Sequence, residues 1–60
     1  MQTSTAVKVL VSEMSAEDQV KHLKTLLRMR RKAVHYGING TLYVVKRSVA
    51  IALVRKVIGS

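Results

Sequence analysis

Val34-His35-Tyr36-Gly37-Ile38-Asn39-Gly40-Thr41-Leu42-Tyr43-Val44-Val45 is the stretch on which the fold turns. Gly37 to Gly40 is the only clear punctuation in the chain. Two architectures diverge there. In one, the four residues link two helices. Apolar residues recur at Leu42, Val45, Val49, Leu53 and Val57, and steps of three and four are the helical period. Val44, Ile51, Val54 and Ile58 on the other sides make that second helix, about residues 41–58, a largely buried one. In the other, Asn39-Gly40 is the two-residue turn of a β-hairpin, the strongest short-range hairpin signal. Tyr36 then faces Tyr43 and Val34 faces Val45. The helical period over the longer span predicts a mainly α protein, and the α+β hairpin is the alternative.

Before this stretch, Ser15 is a good N-cap, with Asp18 three residues on in the position of a capping box. Glu17 and Asp18 occupy the first turn, where the helix dipole favours anions, and cations crowd the far end. A helix over about residues 16–36 follows. Val20, Leu23, Leu26, Leu27, Ala33 and Val34 fall within about 140° of its circumference, with Lys21, Lys24, Arg28, Arg31, Lys32 and His35 opposite. Arg30 alone lies within the apolar arc and must snorkel or pair across an interface. Earlier still, Val7, Val9 and Val11 alternate with Lys8 and Leu10, which predicts a short strand over about residues 5–11. The expectation is one domain over residues 1–60: two basic helices and an N-terminal strand.

Charge points to the partner. After Asp18 the remaining 42 residues carry ten Lys or Arg and no Asp or Glu, and the net charge is +8. Unbalanced charge of one sign costs stability through self-repulsion unless an anion neutralises it. The simplest such partner is nucleic acid, whose binding is driven by counterion release. A solvated helix face normally carries acidic partners at i,i+4, and they are missing after Asp18.

Catalysis is not expected. There is no Cys, the three acids cluster at residues 13–18, and no glycine-rich phosphate loop occurs. His35 has no carboxylate nearby in sequence to orient it, and both histidines read as helix-surface residues. The same scarcity of ligands argues against a metal or other cofactor. No uncharged apolar run reaches the ~18 residues of a membrane span. A cytoplasmic location is expected on these grounds. Chains of about this size bury only about 60% of their unfolded surface, so a homodimer or a larger complex is expected to supply the missing core.

Three partial resemblances accompany this reading. Ala33, Gly37, Ile38, Asn39, Thr41, Leu42 and Tyr43 resemble the helix-turn-helix of the Fis and NtrC type, with a turn one residue shorter. The order strand, helix, glycine turn, helix is similar to the ribbon-helix-helix repressors, which implies a role for Lys8 in contacting bases or phosphates. Arg47, Val49 and Ala50 resemble positions of small two-helix ribosomal proteins. The expected function is that of a small non-enzymatic nucleic-acid-binding protein, a dimeric regulator that prefers DNA to RNA. Its candidate contacts are Lys21, Lys24, Arg28, Arg31, Lys32, His35 and Lys8. The alternative is a structural or interaction protein, such as a ribosomal or virion component or a small protein inhibitor.

Overall fold

The computed structural model describes residues 2–60. Its elements run α1 (Thr3–Ser12), α2 (Ala16–Arg28), β1 (Ala33–Ile38), β2 (Thr41–Lys46) and α3 (Arg47–Ile58). The central stretch is therefore a hairpin, and the two-helix expectation gives way to three helices and a two-stranded antiparallel sheet. Asn39 and Gly40 sit at φ +50° and +79°, the left-handed pair that a type I′ turn requires. Tyr36 lies opposite Tyr43 and Val34 opposite Val45. The hairpin prevails because Val34, Tyr36 and Val45 all become buried on its inner face. Each such side chain is worth about 1.5–3 kcal/mol, whereas helix propensity differences are about 0.7 kcal/mol or less per residue.

The first helix after Ser15 ends earlier than its sequence predicts. Ser15 Oγ does accept from the Asp18 amide at 3.2 Å, so the start at Ala16 matches. Beyond Arg28 the chain turns extended at Met29, and Ala33 and Val34 belong to β1. A helix running on to residue 36 would stack Arg28, Arg31 and Lys32 on one face with no acid to relieve them. It would also forfeit the hairpin. Arg30 lies outside the helix and is exposed, so it occupies no apolar arc.

The N-terminal strand is also corrected, because residues 3–12 are helical. Val7 and Val11 are fully buried and Ala6 nearly so. Ala6, Val7, Leu10 and Val11 make a stripe at helical spacing, so the alternation of Val7, Val9 and Val11 coincides with a helical pattern. An isolated strand without a partner would leave its backbone groups unpaired. The core joins Val7 and Val11 of α1, Leu26 of α2, the inner hairpin face, and Ala50, Leu53 and Val54 of α3. With no N-terminal strand, the ribbon-helix-helix resemblance fails. With a hairpin over residues 33–46, so does the helix-turn-helix resemblance at Ala33–Tyr43.

Candidate nucleic-acid interface

Lys21, Lys24 and Arg28 project from one side of α2, within an arc of about 60° at 100° per residue. Leu26, 1% exposed, points the other way into the core. All three cations are exposed. Lys21 pairs with Glu17 at 3.3 Å, the single ion pair among the described residues. Val20 and Leu27, core positions by the sequence pattern, remain 42% and 49% exposed. The helix is rolled so that its buried line runs through His22, Leu23 and Leu26, which leaves an apolar margin beside Lys24.

Arg31 and Lys32, predicted on the helix, instead lie in the exposed link between α2 and β1, together with Arg30. His35 is exposed on the outer face of the hairpin, opposite Val44. Lys8 is half-buried on α1, where it lines a groove of about 200 Å³ with Lys56, Val57 and Ser60. The structure thus keeps Lys21, Lys24 and Arg28 together and distributes the other candidates over the link, the hairpin and α1.

One grouping is unmarked in the linear sequence. Lys32, Lys46, Arg47 and Ser48 line a groove of about 360 Å³ at the foot of the hairpin. The Arg47 amide donates to the Lys32 carbonyl at 2.8 Å, continuing the ladder one step past the Ala33–Lys46 pair. The Arg47 guanidinium donates through Nη1 to the Met29 carbonyl at 3.0 Å. The signal that points to this group is the hairpin register. A turn centred on Asn39-Gly40 sets Lys32 opposite Arg47.

His22 is a joint between elements, contrary to its expected place on the helix surface. Its Nε2 shares a 2.7 Å hydrogen bond with the Tyr36 hydroxyl, and the two rings meet edge-on at 5.5 Å. Burial holds the imidazole below its ordinary pKa of 6.5 and the phenol above its ordinary 10.0. In each case the low-dielectric surroundings disfavour the charged form. Among the described residues, no three His, Cys, Asp or Glu gather as metal ligands, and no helix is long and apolar enough to cross a membrane. No protein-family model, curated protein or solved structure matches the chain.

Proposed function

We propose that this protein binds nucleic acid without catalysing a reaction, and that it acts as a DNA-binding regulator whose α2 and following link lie along backbone phosphates. The observation that carries this reading is the exposed, unneutralised positive charge. Eleven Lys and Arg face three Asp and Glu, and a single ion pair forms among the described residues.

Orientation follows from the charges along α2. Glu17 and Asp18 in its first turn repel phosphates, while Lys21, Lys24 and Arg28 attract them farther on. The C-terminal half of the helix and residues 30–32 therefore carry the contact. Arg and Lys dominate that surface, and amide side chains suited to base edges are scarce, so the contact is mainly to the backbone. A helix of 13 residues, about 20 Å long, fits the major groove of B-DNA. The deep, narrow major groove of duplex RNA excludes it. Uncovered Val20, Leu27, Leu42 and Val44 offer apolar surface to a second copy, which supports a dimer as the binding unit, as sedimentation equilibrium would measure.

A salt titration tests the reading. Affinity for a 20-base-pair duplex is followed by fluorescence anisotropy between 50 and 200 mM salt, beside duplex RNA and anionic vesicles. If Lys24, Arg28, Arg30, Arg31 and Lys32 each meet one phosphate, the slope of log K against log salt is about −4.5 on DNA. Vesicle binding without DNA binding, or a DNA slope near zero, overturns the proposal.

A further inference from the structure

The groove at the foot of the hairpin is open and lined mainly by cations, and its lining decides what enters it. Three of its four lining residues are cations, the fourth is Ser48, and no carboxylate takes part. The cations come from three places in the chain. Lys32 arrives from the link after α2, Lys46 from the end of β2, and Arg47 from the start of α3. The hairpin register brings them together, and the 2.8 Å bond from the Arg47 amide to the Lys32 carbonyl fixes their spacing.

Arg47 is held in advance of any ligand. One of its five N–H donors is committed to the Met29 carbonyl at 3.0 Å. A guanidinium fixed this way loses less conformational freedom on binding than a free surface arginine, and its planar fork suits oxyanions. Lys32 and Lys46, both exposed, line the same groove and supply point charges to it. The Ser48 hydroxyl can donate as well. The start of α3 has no side-chain cap, so the Ser48 and Val49 amides add partial positive charge at the same end. Three like charges lining one groove repel one another, a cost that an anion in the groove relieves.

We infer that this groove is a phosphate seat: Lys32, Lys46, Arg47 and Ser48 together bind one phosphate group. It deepens the nucleic-acid reading and rests on it for the source of that phosphate, which would be a backbone phosphodiester rather than a free ion. The α2 cations then hold neighbouring phosphates, and the groove fixes the position of the hairpin relative to the strand.

The test uses nitrogen-15-labelled full-length protein, titrated in parallel with inorganic phosphate and with a 20-base-pair duplex, with chloride at matched ionic strength as the control. The parent and a Lys32→Gln/Lys46→Gln variant are compared. Both replaced side chains are exposed, and the amide spectrum itself reports whether the variant is folded. In the parent, the Ser48 and Val49 amides should shift saturably with either probe. In the variant, the phosphate-induced shifts should vanish and the DNA salt slope should drop by about 0.9, the share of the one phosphate the groove seats. Saturable phosphate shifts without DNA binding would keep the seat and discard the nucleic-acid source. DNA binding with an unchanged slope in the variant, and still amides at Ser48 and Val49, would discard the seat and keep the nucleic-acid reading. Weak, non-saturating shifts spread over all the basic residues would also discard it.

Discussion

Replacing Lys24, Arg28 and Arg31 together with Gln separates a binding surface from a merely solvated one. All three side chains are exposed, and none belongs to the Lys21–Glu17 ion pair, the single one among the described residues. Removing them therefore breaks no partner, and Gln matches Lys and Arg as a helix former. Stability should change by no more than about 0.5 kcal/mol per site, the usual range for such surface positions. Binding should respond much more. Each phosphate left without its cation lowers the slope of log K against log salt by about 0.9, so three together lower it by about 2.7. Between 50 and 200 mM salt, a fourfold change, the parent should lose about 40-fold more affinity than the variant. Anisotropy on a duplex at several salt concentrations reads the slope, and thermal unfolding by circular dichroism checks the fold. A variant that folds normally and binds with the parental slope would refute the role given to this face. Arg30→Gln belongs with this set: the side chain lies outside the helix, so its effect should be on binding rather than on stability.

Three predictions concern the scaffold. Leu26→Ala removes the one fully buried side chain of α2 and should cost about 2–5 kcal/mol. That is a large share of the about 3–9 kcal/mol expected for a domain of this size, and a loss below about 1 kcal/mol in urea unfolding would contradict the core described. Gly40→Ala meets no neighbouring atom, so its cost is the left-handed backbone alone, about 1–2 kcal/mol. A rise in the urea midpoint on this change would contradict the left-handed turn at Gly40. The third follows from His22, whose folded pKa lies below its ordinary 6.5 because of burial. As pH falls through 6.5 the unfolded chain takes up a proton before the folded one does. Stability should therefore decline below about pH 6.5 and level off once pH passes the lowered folded pKa. His22→Gln should flatten that profile, and a parent more stable at pH 5.5 than at pH 7.5 would overturn the account.

Parts of this structure are legible from local chemistry and parts are not. The start of α2 is written in Ser15, Glu17 and Asp18, and the observed cap is the predicted one. Its end is unwritten, since neither Gly nor Pro follows Arg28 and the helix stops because the hairpin beyond it buries more. The α1 segment misleads because Val7, Val9 and Val11 satisfy period two while Val7 and Val11 also satisfy a step of four. Only the absence of a partner strand decides between them. Residues 41–58 mislead in a similar way. Their three-and-four spacing runs unbroken across a strand and a helix, although only Arg47–Ile58 is helical.

The cationic groove depends on the same choice between helix and hairpin. With residues 16–36 drawn as one helix, Lys32 sits on a basic face beside Arg28, and Arg47 belongs to a different helix. With the turn at Asn39-Gly40, position 32 pairs with 47 and position 33 with 46, which is the geometry observed at the groove. The exposed cations of α2 are recognisable under either architecture, because exposure on a helix needs only the helical period. A groove assembled from the link, β2 and α3 needs the register, and register is a property of the pair of strands rather than of either one. The basic face is thus encoded locally and the pocket non-locally. Hence a shift of the turn by one residue would leave Lys21, Lys24 and Arg28 in place while dispersing Lys32, Lys46 and Arg47.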